Sequence, residues 1–80
     1  MEVQLSGVLR DAADGQASIS VHAETIRELM RKVLERYPRM QSHVDEGIAV
    51  SINGEIFRDL WTQPIPADAE VYLLPRIPGG

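Results

Sequence analysis

Apolar residues recur along this chain with two different periods. Over residues 2–9, Val3 and Leu5 alternate with Glu2, Gln4 and Ser6, the period of two expected of a strand with one buried face. Residues 11–15 are turn chemistry, and Asp14-Gly15 readily supplies a left-handed position. Ile19 and Val21 then alternate with Ser18, Ser20 and His22, so the two segments predict an N-terminal hairpin. The period then changes. Ile26, Leu29, Met30, Val33, Leu34 and Tyr37 recur at helical spacing, with Arg27, Arg31, Lys32, Glu35 and Arg36 on the opposite face. Thr25 and Glu28 have capping-box spacing, Glu28 and Lys32 form a favourable i,i+4 pair, and Pro38 disfavours helix at Tyr37. The spacing predicts one helix over residues 26–37, with Arg36 and Arg39 near its negative end.

After a polar stretch the period of two returns. Ile48, Val50 and Ile52 alternate with Ala49 and Ser51, and Asn53-Gly54 is the strongest hairpin signal in the chain. Residues 55–57 form the return strand. Residues 58–69 hold Pro64 and Pro66 and read as a loop or a short helical turn. Residues 70–74 form the last strand, with Val71 and Leu73 on one face and Tyr72 and Leu74 on the other. A single helix among these strands predicts an α+β layer fold, a five-stranded sheet with the helix across one face. The expected core is Val3, Leu5, Ile19, Val21, Leu29, Val33, Ile48, Val50, Phe57, Val71 and Leu73. Analogy with folds of this kind, rather than periodicity, makes the first and last strands parallel neighbours at the sheet centre.

The Asn53-Gly54 loop also sets a register. A two-residue loop places Ile52 opposite Glu55 and Ser51 opposite Ile56, and opposed residues share a face. Ile56 then joins Ser51 on the solvent face while Phe57 joins Val50 inside. Ile56 and Leu74 are thus expected to be exposed aliphatics beside the C-terminal tail, which suggests a docking patch.

Eighty residues make one small domain with a modest core, which argues against a multi-step enzyme with an enclosed substrate pocket. The formal charge is -4, from 12 acidic and 8 basic residues. No basic block is present, which argues against a nucleic-acid partner. An acidic surface suits a partner with a basic face. The chain has no cysteine, so disulfides, thiolate nucleophiles and cysteine metal sites are excluded. No signal peptide is visible, and no apolar run approaches the roughly 20 residues that span a bilayer; no membrane partner and a cytoplasmic location are expected. His43 lies near Asp45 and Glu46, but the spacing matches no standard metal site, and no metal is expected. Trp61 reads equally as a partner anchor and as a plug against the sheet end.

The sequence closes on Pro75-Arg76-Ile77-Pro78-Gly79-Gly80. Two glycines at a carboxyl end make a slender probe that fits where side chains do not. Pro75 and Pro78 favour extended geometry. Small residues also end many chains for no functional reason, so Gly-Gly alone decides little.

The wider sequence resembles the MoaD/ThiS family, whose members include the small subunit of molybdopterin synthase and the sulfur carrier of thiamine biosynthesis. Val50-Ser51-Ile52-Asn53-Gly54 is similar to that family's penultimate hairpin. Ala67-Asp68-Ala69-Glu70-Val71-Tyr72-Leu73-Leu74-Pro75 is similar to its acidic turn, last strand and following proline, and Gly79-Gly80 matches its ending. Leu9-Arg10-Asp11 and the Thr25-Ile26 helix start extend the likeness over the whole chain. The family usually has Gly-Asp in the acidic turn, where this chain has Ala67-Asp68-Ala69. A first-strand position often aromatic in the family is Ser6 or Gly7 here.

The resemblance implies a ubiquitin-like β-grasp domain over residues 1–75 and a flexible tail over residues 76–80. It implies a sulfur carrier rather than an enzyme. A ubiquitin-activating-enzyme-like adenylyltransferase would adenylate the Gly80 carboxylate, with Gly79 beside it, and a sulfur donor would then convert it to a thiocarboxylate. ATP would be bound by that partner, so the chain itself needs no cofactor. A sulfur-acceptor enzyme such as the molybdopterin synthase large subunit would receive the sulfur, with thiamine or another metabolite as the alternative pathway. Ile56, Leu74, Pro75, Arg76, Ile77 and Pro78 would contact the partners. A ubiquitin-like modifier joined to lysines shares the same tail, and a binding module with an inert tail is the third reading.

Overall fold

The computed structural model describes residues 1–58 and 60–75. Five strands make one mixed sheet: β1 (Glu2–Leu5), β2 (Ser18–Ser20), β3 (Ile48–Ile52), β4 (Glu55–Phe57) and β5 (Val71–Pro75), in the spatial order β2-β1-β5-β3-β4. The first and last strands run parallel, with Val3 opposite Val71 and Leu5 opposite Leu73, and β5 takes the central place. The remaining pairs are antiparallel. Helix α2 (Ile26–Arg36) supplies the apolar stripe that the sequence shows. Val3, Leu29, Val33, Val71 and Leu73 are wholly buried, so strand alternation and helix periodicity meet in one core.

Local chemistry starts α2 as the sequence predicts. Thr25 Oγ1 accepts from the Glu28 amide at 3.2 Å, and the Glu28 carboxylate accepts from the Glu24 amide at 2.9 Å. Two further amides of the first turn are satisfied from the long segment after β4. Ile26 N donates to Gln63 O at 3.1 Å and Arg27 N to Trp61 O at 2.9 Å. Ile65 N donates back to Glu24 O at 2.8 Å. Residues 58–69 therefore include a backbone cap for a helix end that would otherwise hold unpaired donors, and Ile65 is buried beneath it.

The structure differs from the sequence reading at both ends of the first strand pair and in the polar stretch. The strand expected over residues 2–9 stops at Leu5. Gly7 adopts φ 56° and ψ −129°, a backbone only glycine reaches easily, and a short helix α1 (Val8–Ala12) follows. Leu9, Ala12 and Ala13 go into the core from it. The hairpin pairing survives, with Val3 opposite Ile19, but its connection is this helix rather than a tight turn. His22 is exposed and lies beyond the end of β2.

After Tyr37 the chain makes a 3₁₀ turn (Pro38–Met40) and a helix α3 (Gln41–Glu46). Met40 is wholly buried, while His43 sits half-buried on α3 rather than in a loop. Two expected core residues, Ile48 and Phe57, are half-buried and pack against the core margin. Ile48 opens β3, and Phe57 lies on the edge strand, where one flank has no neighbouring strand. The acidic turn needs no left-handed residue. Ala69 N donates to Pro66 O at 3.1 Å, and none of residues 67–69 has positive φ, so Ala69 fits where the family usually has glycine. Among the described residues, no helix is long and apolar enough to cross a membrane.

Candidate functional site

The face of the sheet turned away from α2 carries the candidate site. Asn53 and Gly54 have φ of 50° and 88°, the positive pair that a two-residue hairpin loop requires. The loop sets Ser51 opposite Ile56, as the sequence predicts. Ser51 also lies opposite Tyr72, and Ala49 opposite Leu74, across the β3–β5 pair. These residues share the outer face because side chains alternate along each strand.

Their sizes create relief. Ala49 and Ser51 are each only 8% exposed although they face outward. They are small residues shaded by larger neighbours, Leu74 and Tyr72 on one side and Ile56 on the other. Ile56 is 53% exposed and Tyr72 43%. Leu74, expected to be exposed, is half-buried, because it lies in the wall of a groove instead of standing on a flat sheet.

That groove has a volume of about 670 Å³ and brings together Ile56, Leu74 and Pro75, with Ala49 between them. Three of the expected partner-contact residues thus meet in one depression. Ser6 lines it as well, so a small side chain stands near the position that is often aromatic in the resembled family. Arg58 and the end of α3, including Asp45 and Glu46, complete the lining. Asp45 accepts from the Gln41 side chain at 2.8 Å.

Sequence reasoning missed the α3 contribution. The available signal was Gly47, whose φ of 107° ends that helix, since glycine is the common residue just past a helix end. The groove offers apolar contact with a charged margin. Among the described residues there is no cluster of His, Cys, Asp or Glu that could hold a metal ion. Arg76, Ile77, Pro78, Gly79 and Gly80, and with them the expected flexible tail, lie outside the described residues. Trp61 lines a small cleft with Ile26, Met30 and Phe57 and is partly exposed.

The ThiS family model matches residues 3–80. No curated protein matches the chain in sequence. Among solved structures, the chain is similar to the small archaeal modifier protein 1 (SAMP1) of Methanosarcina acetivorans. The TM-score is 0.81 at 24% identity, over 99% of this chain and 94% of that one. It is similar to a chain of the Amycolatopsis orientalis BexX/CysO complex, with a TM-score of 0.79 at 21% identity, covering 99% and 98%. A Pyrococcus furiosus protein provisionally assigned as molybdopterin converting factor subunit 1 gives a TM-score of 0.72 at 18% identity, covering 95% of each chain.

Proposed function

The chain belongs to the ThiS family and has a ubiquitin-like β-grasp fold, and on that premise we propose that it is a sulfur carrier whose Gly80 carboxylate becomes a thiocarboxylate. The observation that carries this reading is the family match, which runs through Gly79-Gly80. A carboxylate is a poor electrophile until one oxygen becomes part of a leaving group. In the proposed sequence a Gly80 oxygen attacks the α-phosphorus of ATP held by an adenylating partner, and pyrophosphate departs. Sulfur from a donor then displaces AMP at the carbonyl carbon. The chain supplies a substrate carboxylate and a docking groove, and the partner supplies the catalysis.

The first partner is a ubiquitin-activating-enzyme-like adenylyltransferase that meets Ile56, Leu74 and Pro75, with Arg76, Ile77 and Pro78 leading Gly79-Gly80 into its active site. The second is a sulfur-acceptor enzyme, with the molybdopterin synthase large subunit as the first choice and a thiamine-type acceptor as the alternative. The location that suits both is the cytoplasm. The likeness to SAMP1 favours one second reading, a modifier joined to other proteins through Gly80.

Intact mass after incubation with ATP, an activating enzyme and a sulfur donor separates the readings. A thiocarboxylate adds ~16 Da through an activated acyl intermediate, whereas a modifier gives large covalent adducts. An unchanged mass with an enzyme that activates a known carrier would refute both.

A further inference from the structure

Large apolar side chains left in solvent are few in this chain, and they are not spread evenly. Among the described residues five are exposed, and three of them, Ile56, Leu60 and Trp61, fall within six positions. Of these three, only Ile56 belongs to the groove on the outer face. Leu60 and Trp61 border a small cleft whose wall includes Ile26 and Met30 of α2. Backbone bonds fix both positions. Arg27 N donates to Trp61 O at 2.9 Å, and Gln63 N donates to Leu60 O at 3.0 Å. Even so, Leu60 is 52% exposed and Trp61 37%. Packing on the cleft accounts for the covered part of the indole. It does not account for a half-exposed leucine held next to it.

One residue joins the two sides. Ile48 lines both the groove and the cleft, and it lies opposite Pro75 in the β3–β5 pair. Strand β5 ends at Pro75, and Gly80 follows five residues later. At ~3.3–3.6 Å per residue, the Gly80 carboxyl stands no more than about 18 Å from Pro75. A specific interface covers about 800 Å² per partner, a disc roughly 30 Å wide. The Cα extents of the chain are 28 × 27 × 18 Å. An enzyme with that footprint, closing on Gly80, reaches the cleft side of Ile48 as well as the groove side.

Arg58 adds a charge at the rim. It lines the groove with Ile56 and is exposed. Arg10, Arg31, Lys32, Arg36 and Arg39 each have a hydrogen-bond or ion-pair partner. Arg58 has none among the described residues. An uncommitted cation in a chain of net charge -4 is complemented by a carboxylate on the partner.

We propose that Leu60 and Trp61 form a second docking face for the enzyme that adenylates Gly80, continuous with the groove through Ile48, and that Arg58 takes an acidic side chain of that enzyme. The proposal rests on the carrier reading above. The matching surface of the enzyme is apolar, with a carboxylate at its edge. Binding covers Leu60 and the open edge of the Trp61 indole, a side chain enriched among the residues that dominate interface energies.

The chain has one tryptophan, so the full-length protein labelled with fluorotryptophan gives a single fluorine NMR signal. It is titrated with an adenylating enzyme that supports ATP–pyrophosphate exchange on the parent chain. The signal is expected to shift, and to lose its response to replacing water by deuterium oxide, as the complex forms. Leu60→Ser, at an exposed position, is expected to raise the chain concentration for half-maximal exchange about tenfold, the effect of losing one strong interface contact. Its melting temperature should match the parent's. Arg58→Gln is expected to raise that concentration too and to flatten its dependence on salt. An unmoved fluorine signal with an enzyme that adenylates the parent, or parental exchange by Leu60→Ser, overturns the second face and leaves the carrier reading standing. Parental salt dependence in Arg58→Gln overturns the acidic contact. A signal already shifted by self-association of the chain alone overturns the proposal in favour of a second copy. Absence of exchange on the parent with enzymes that activate other ThiS-family carriers overturns both the proposal and the reading beneath it.

Discussion

The Asn53 amide donates to the Glu70 carbonyl, and the Asn53 side-chain oxygen accepts from the Glu70 amide, both at 2.9 Å. One hairpin residue thereby holds the point where the chain enters β5. Asn53 serves twice, because its φ of 50° is one that asparagine tolerates better than most residues. Asn53→Gly keeps the loop conformation and loses the side-chain bond, and should destabilise by about 1 kcal/mol. Asn53→Ala loses both and should cost about 2–3 kcal/mol. Urea denaturation of the two variants separates the contributions.

Arg39 and Met40 are neighbours with opposite importance. Arg39 donates to Asp14 at 2.7 Å and to Asp11 O at 3.0 Å, but both partners of the ion pair are about two-thirds exposed. Such a pair contributes about 0–1 kcal/mol and is screened by salt. Met40 is wholly buried, and Met40→Ala should cost about 2–5 kcal/mol, as should Leu29→Ala. Melting temperatures at low and high salt check both statements. A large, salt-insensitive loss from Arg39→Ala would contradict them.

The groove makes a prediction about binding. Ile56→Asp puts a charge on an exposed position and should weaken the adenylating partner by more than about fivefold, the effect of losing a significant interface contact. Its melting temperature should stay close to the parent's. Leu74→Asp should weaken binding too, with a stability cost, because Leu74 is half-buried in the groove wall. Calorimetric titration against the activating enzyme reads the affinities. Unchanged affinity in both variants would remove the groove from the docking surface.

Gly80 sets the reach of the proposed carboxylate. Deleting it shortens the chain by ~3.3–3.6 Å, while reacting atoms must be held ~3–3.5 Å apart. The deletion should abolish adenylation and thiocarboxylate formation without lowering the melting temperature. Adding a residue after Gly80 should do equal damage. ATP–pyrophosphate exchange and intact mass follow the two reactions. A deleted chain that still forms the thiocarboxylate at the parental rate would end the carrier proposal.

The sequence by itself determined the elements whose signals are local. Asn53-Gly54 gives the β3–β4 register because a two-residue loop leaves no other pairing, and Thr25 with Glu28 gives the start of α2. The faces of β3 and β5 follow from alternation, which is why Ile56 and Leu74 could be assigned to one surface. Tertiary structure decided what lacks a period. Five residues of α1 and six of α3 are too few to show an apolar repeat, and a lone Met40 in a polar stretch gives no sign that it is buried. The groove, too, is a product of packing. It exists because β5 inserts between β1 and β3, setting Leu74 beside Ala49 and bringing Ser6 and the end of α3 to its margin. Those neighbours are distant in sequence, and only the folded sheet makes small and large side chains adjacent enough to leave a depression between them.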